Sequence, residues 1–176
     1  MIKRISEKEI FKSKIFKIKE LELELEGGKR VTRQILEKGD GALIVPINSH
    51  NELILIKEYF PAIDEYQLGL PKGRIDPGMD ALTTANKELQ EEIGYKAKKL
   101  DELAVLTMSP GYITQKTHIF LARELVESKL IGDEMEELEI VFYPFDKFEE
   151  LITQKKITEA RMIAALYMAR KFLTEV

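Results

Sequence analysis

Three glutamates, Glu88, Glu91 and Glu92, stand at i, i+3 and i+4 of a segment with helical periodicity. At about 100° per residue Glu92 lies roughly 40° from Glu88, and Glu91 roughly 60° from it, so the three carboxylates share one side of a helix. Grouping like charges costs an isolated helix about a few tenths of a kcal/mol per pair. Oxygen ligands grouped in this way are what a hard cation such as Mg²⁺ prefers. Taken alone, the triplet reads first as a solvated acidic face. The residues ahead of it shift the balance. Leu70 to Asp80 contains Pro71, Gly73, Pro77 and Gly78, a turn that brings backbone close to the helix, where a carbonyl could complete a metal shell. No other constellation competes. The chain has no cysteine, which excludes a thiol nucleophile, a zinc thiolate or a disulfide. Of its two histidines, His50 falls in a polar loop and reads as solvated, and His118 falls in a strand and reads as structural.

The elements that must position this group follow from local pattern. Asp80 is a good N-cap and Gly94 a good terminating glycine, and Leu82, Ala85, Leu89 and Ile93 between them form one apolar stripe. Leu21 to Glu26 alternates leucine and glutamate, and with Gly27-Gly28 and Val31 to Glu37 it predicts a hairpin. Ala42 to Ile47 and Leu53 to Tyr59 form a second pair of strands, nearly continuous in Leu, Ile and Val and therefore buried on both faces. Further strands are expected over Glu102 to Met108, Thr117 to Ala122 and Glu139 to Tyr143. The acidic segment Glu124 to Glu137 reads as a loop. A short helix from Asp146 and a longer one from Thr158 to Leu173 close the chain. These elements predict an α+β fold with a mixed β-sheet between helices, an α/β/α sandwich. An N-terminal β-hairpin module over residues 1–38 precedes a main domain over 39–176.

The chain has 176 residues, 44% hydrophobic and 33% charged, with a net charge of −4. One domain with a sizeable core and room for one elaboration fits that length. Basic residues are spread along the chain, which argues against a nucleic-acid partner. No segment has the roughly 20 apolar residues of a membrane span, and no signal sequence is evident. A soluble cytoplasmic protein is expected.

From Gly73 to Tyr95 the chain resembles the Nudix box. Gly73, Glu88, Leu89, Glu91, Glu92, Gly94 and Tyr95 match at the required spacing. Two positions depart from it: Met79 stands where the box has Glu, and Lys87 where it has Arg. The resemblance extends to Arg33-Gln-Ile-Leu-Glu, Ser109-Pro110-Gly111 and the Gly132-to-Glu136 run, which look like the ADP-ribose pyrophosphatase branch. Glu58-Tyr59 and the Pro71-to-Gly78 run look closest to the ADP compounds hydrolases within it.

That resemblance implies hydrolysis of an ADP-linked diphosphate with Mg²⁺ or Mn²⁺. It gives Glu88 and Glu92 to the cation, with Glu91 beside them and the Lys72 carbonyl as a backbone ligand. Glu136 would orient or deprotonate the attacking water, with Glu134 as its alternate. Ser109, Pro110 and Gly111 would line the ribose-phosphate end of a nucleoside diphosphate derivative. Arg33 would reach its phosphate or nucleoside, and Arg74 is a phosphate contact. Lys57 and Phe60 lie where related enzymes place a substrate arginine, although Phe60 reads first as an ordinary packed aromatic. The branch also implies a homodimer formed through the N-terminal module. Diadenosine polyphosphates, reduced dinucleotides and sugar nucleotides stay open as substrates. So does a nucleotide-binding module with weakened turnover, which the two departures from the box keep in view.

Overall fold

The computed structural model describes residues 1–132 and 138–175. They form two compact units, one of Met1–Asp40 with Thr107–Lys116, the other of Gly41–Leu106 with Thr117–Val176.

The first unit is a three-stranded antiparallel sheet of β1 (Lys3–Lys12), β2 (Lys17–Glu24) and β3 (Arg30–Glu37), in that order. The β2–β3 hairpin is the expected one, in register Leu21 with Arg33 and Leu23 with Val31. Its turn carries Gly27 and Gly28 at φ 86° and 81°. Strand β1 was not anticipated, because its Lys- and Glu-rich sequence shows no alternation. It is exposed along its whole length and is held by its backbone ladder to β2. The Lys19 ammonium adds an ion pair to Glu7 of β1 at 2.5 Å and another to Glu37 of β3. The Ser109-to-Thr114 segment joins this unit beside β3. Leu36 N–H donates to the Tyr112 carbonyl at 2.6 Å, and Thr114 N–H to the Leu36 carbonyl at 3.1 Å.

The second unit holds two sheets. In one the order is β7 (Lys72–Arg74), β4 (Gly41–Pro46), β9 (Lys116–Glu127), β8 (Tyr95–Thr107), with β4 parallel to β9 and antiparallel to β7. In the other, β5 (Glu52–Phe60) lies between β10 (Glu139–Pro144) and β6 (Glu65–Gly69), antiparallel to both. The helices are α1 (Ala81–Glu88), which runs into a π turn at Leu89–Ile93, then α2 (Phe148–Thr153) after a 3₁₀ turn, and α3 (Ala160–Glu175). Alternate residues of the central strands face opposite helices. Leu43, Val45, Leu53, Leu55, Ile119 and Leu121 pack with Phe148, Leu151, Met162 and Leu166 of α2 and α3. Ala42, Ile44, Ile54, Ile56 and Phe120 pack with Ala85, Leu89 and Ile93 of α1 and its π turn. This is the expected α/β/α layering, and β4 and the first half of β5 are buried on both faces.

Three local expectations change. β4 and β5 do not form a ladder; a single bridge, Ile47 with Leu53, links them before they enter different sheets. Both are buried on both faces, so nothing in their side-chain pattern fixes which neighbour each pairs with. The stripe loses Leu82, which is 50% exposed, while Thr84 is buried and Ala81 packs against the cluster. The segment Glu124–Glu127 belongs to β9 and is not loop.

Candidate functional site

The acidic group is built on α1 and its continuation. Asp80 caps the helix: one carboxylate oxygen accepts the Thr83 N–H at 2.8 Å and the other the Thr83 hydroxyl at 2.7 Å. Gly94 ends the run in the left-handed conformation, φ 76°. Between them the helix does not stay α. The π turn over Leu89–Ile93 widens the spacing of successive side chains, as such turns do at functional sites. Two of the three glutamates, Glu88 and Glu92, meet the same short strand, β7. Glu92 is only 8% exposed and points at β7, where its carboxylate accepts the Lys72 N–H at 2.9 Å. Glu91 turns to Lys87 and pairs with its ammonium at 2.8 Å. Glu88 lies against Gly73, so closely that a Cβ there would fall on its carboxylate.

The turn is held just as firmly. Leu70 is fully buried in the core, and the Pro71 carbonyl accepts the Ile44 N–H at 2.9 Å. Lys72 and Gly73 then pair with Leu43 and Ala42 of β4. The sheet thus fixes the backbone that meets Glu88 and Glu92. The Lys72 ammonium forms an ion pair with Glu58 at the end of β5 and lies 5.4 Å from the Phe60 ring centroid.

Glu92 carries the electrostatics of the site. Burial pushes its carboxyl up to about 8, only partly opposed by the Lys72 ammonium and backbone N–H and reinforced by the charges of Glu88 and Glu58. A buried carboxyl crowded by two others lacks positive charge. The donor set is all oxygen, and the missing side chain of Gly73 lets the Glu88 carboxylate lie against the backbone, so these residues fit a divalent cation. As they stand, no three acidic or histidine side chains among the described residues close on one point. Each glutamate is engaged separately, by Lys72, by Lys87 or against Gly73.

The chain after β9 docks on the far end of the π turn. Ser128 N–H donates to the Gly94 carbonyl at 2.8 Å and Leu130 N–H to that of Gln90 at 3.1 Å. The Lys129 ammonium reaches the Glu91 carbonyl at 2.6 Å. These bonds satisfy carbonyls that a helix end leaves open. Glu134 and Glu136, further along, lie outside the described residues.

The other site residues fall as follows. Lys72, Glu88, Glu91 and Glu92 come together in the second unit. Arg74, on β7 in the same unit, is exposed and paired with Asp76 at 2.9 Å. Arg33, on β3, and Ser109, Pro110 and Gly111 belong to the first unit. Arg33 donates to the Thr32 carbonyl at 2.9 Å, and the Ser109 carbonyl accepts the N–H groups of Tyr112 and Ile113. His118 pairs with Glu102 at 2.8 Å and Lys57 with Glu139 at 2.9 Å; Phe60 packs against the core. Sequence reasoning gave Glu58 no role, although it faces this site. Its signals were a charge near the end of a strand rich in buried apolar residues and the Glu58-Tyr59 likeness to the ADP compounds hydrolases.

Residues 37–166 match the NUDIX domain family. The chain is 36% identical over 166 residues to the ADP compounds hydrolase NudE of Escherichia coli strain K12, spanning 93% of this chain and 89% of that protein. It is 28% identical over 166 residues to the ADP-ribose pyrophosphatase of Bacillus subtilis strain 168, spanning 93% and 90%. The crystal structure of an ADP compounds hydrolase matches with a TM-score of 0.92 at 33% identity, covering 99% of this chain and 95% of the other. With the box geometry and a family match over most of its length, the chain belongs to the Nudix family.

Proposed function

We propose that the chain hydrolyses the diphosphate bond of ADP-linked compounds, ADP-ribose among them, with Mg²⁺ or Mn²⁺. With ADP-ribose the products are AMP and ribose 5-phosphate. The observation that carries this reading is the meeting of Glu88 and Glu92 with the Lys72–Gly73 backbone, an oxygen-lined site short of positive charge. The ADP-compound activity named for the two relatives and the crystal structure supports the substrate class.

Nudix hydrolases work with divalent cations. A bound cation supplies the positive charge that a diphosphate under attack requires and lowers the pKa of water. Glu88 and Glu92 would hold it, with the Lys72 carbonyl as backbone ligand and Glu91 beside them. Lys72 N–H orients Glu92, and Lys87 orients Glu91. Glu136 takes the proton of the attacking water, with Glu134 as the alternate. Arg74 contacts phosphate, and Arg33 with Ser109, Pro110 and Gly111 serves the ribose-phosphate end.

We place the protein in the cytoplasm as a homodimer without a nucleic-acid partner. No helix among the described residues is long and apolar enough to cross a membrane. The dimer reading is supported by β1, an edge strand whose Ile5, Ile10 and Phe11 are exposed, the kind of edge that proteins cover.

The test is a panel of nucleoside diphosphate derivatives that includes diadenosine polyphosphates, NADH and sugar nucleotides, with products separated by chromatography. AMP is expected from ADP-ribose or a close ADP compound with Mg²⁺, and none in excess chelator. Undiminished turnover in chelator would sink the mechanism. Binding without turnover of any member would favour the weakened binding module.

The departures from the box give a second expectation. Lys87 meets Glu91 through a point charge where arginine would offer a planar fork. Met79 is 36% exposed, so it is not a core residue, and a glutamate there reaches water without strain. The double substitution Met79→Glu, Lys87→Arg should lower the Mg²⁺ concentration for half-maximal rate a few-fold and leave the melting temperature unchanged. The rate at saturating metal should move much less. A metal titration beside a thermal melt checks this; an unchanged Mg²⁺ requirement would show that the two departures cost the site nothing.

A further inference from the structure

Gly69 and Gly73, four residues apart, bracket the backbone that meets the catalytic helix. Each leaves room for a carboxylate. A Cβ at Gly73 would fall on the carboxylate of Glu88, and one at Gly69 on Oε1 of Glu58. Neither glycine has a left-handed φ, so the turn itself does not demand them. Between the two, the Lys72 N–H holds Glu92. Five residues of backbone thus seat three carboxylates, and only two of these come from the helix. The third, Glu58, arrives from β5, where it lies opposite Gln67 of β6.

The Lys72 ammonium is paired with Glu58, and the two side chains are 22% and 21% exposed. Ionised, Glu58 and Glu88 add to the negative charge around Glu92, and the Lys72 ammonium opposes it. A structural brace between β5 and the turn is the plain explanation of the pair. It does not explain why the seat for Glu58 repeats the seat for Glu88.

We infer that Glu58 is a further carboxylate of the cation site, and that the Lys72 ammonium is its resident counter-charge, displaced when a divalent cation enters. This rests on reading Glu88 and Glu92 as cation ligands. A brace and a counter-charge differ in sign. If the pair is a brace, removing either partner loosens the same contact, and both changes act alike. If the ammonium is a counter-charge, Glu58→Gln removes negative charge and weakens cation binding. Lys72→Met removes a competing cation while keeping the backbone N–H and carbonyl, and it tightens binding.

Mn²⁺ binding to the full chain, titrated by electron paramagnetic resonance without nucleotide, reads this directly. Glu58→Gln should weaken binding about tenfold or more, and Lys72→Met should tighten it several-fold, with both variants folded by thermal melt. Glu92→Gln is the control. If it abolishes binding while Glu58→Gln and Lys72→Met shift together or not at all, the inference fails alone and the pair is a brace. If Glu92→Gln leaves binding intact, the cation-site reading itself fails, and this inference with it.

Discussion

Glu92→Gln is expected to yield a protein that melts higher than the native chain at pH 8 in chelator, yet has lost about 10²-fold or more of its turnover. Both effects come from one buried carboxylate. In the unfolded chain Glu92 ionises near 4.5, whereas in the folded chain burial holds it to about 8. Between those values the folded state binds the extra proton, so stability falls as pH rises through the window and levels off above it. Glutamine carries no charge to desolvate, and its amide oxygen still accepts the Lys72 N–H. The variant therefore loses this pH dependence, and its advantage over the native chain grows from pH 5 to pH 8. Mg²⁺ supplies the missing charge, so it should raise the native melting temperature at pH 8 and leave that of the variant in place. Melts from pH 5 to 9, with Mg²⁺ and with chelator, test the whole scheme. Parallel pH slopes for the two proteins would show that Glu92 is not the buried group responsible. Sites that trade stability for function behave in this way.

How much of this was legible beforehand depended on what links the residues. Glu88, Glu91, Glu92 and their caps at Asp80 and Gly94 lie within one helical run, so spacing alone placed them together. The π turn was not readable, because i→i+5 bonding leaves no signature in a pattern that suits an α-helix as well. Glu91 pairs with Lys87 at the ordinary i,i+4 spacing, while Glu92 meets the sheet. Gly73 was legible as part of a turn, but its reason was not: strand pairing with Ala42 brings it under Glu88. Glu58 sits on a different strand from the turn, joined to it by the β5–β6 ladder, the seat at Gly69 and the Lys72 ion pair, all of them tertiary contacts. The layering was readable because β4 and β5 are apolar on both faces. Their choice of partners was not, for the same reason.

Two glycines of the same turn should fail in opposite ways when replaced by alanine. Gly73 has an ordinary φ, so its backbone accepts alanine and the pairing with Ala42 persists. What cannot persist is Glu88, whose carboxylate occupies the space of the new methyl group. The side chain must swing away, and a displaced ligand at a cation site is expected to cost about 10²-fold in rate, with a raised Mg²⁺ requirement. The melting temperature should change little, since the group displaced is charged and reaches solvent on its new course. Gly78 reverses every term. Nothing lies within 4 Å of a Cβ there, but its φ is +87°, a conformation that alanine resists. Gly78→Ala should lower stability by about 1 kcal/mol and leave kcat close to native, because no site residue has to move. Kinetics and melts on the pair decide the matter. If Gly73→Ala kept native turnover and Mg²⁺ dependence, Glu88 would not need the position it holds against the Gly73 backbone, and its part in holding the cation would fall.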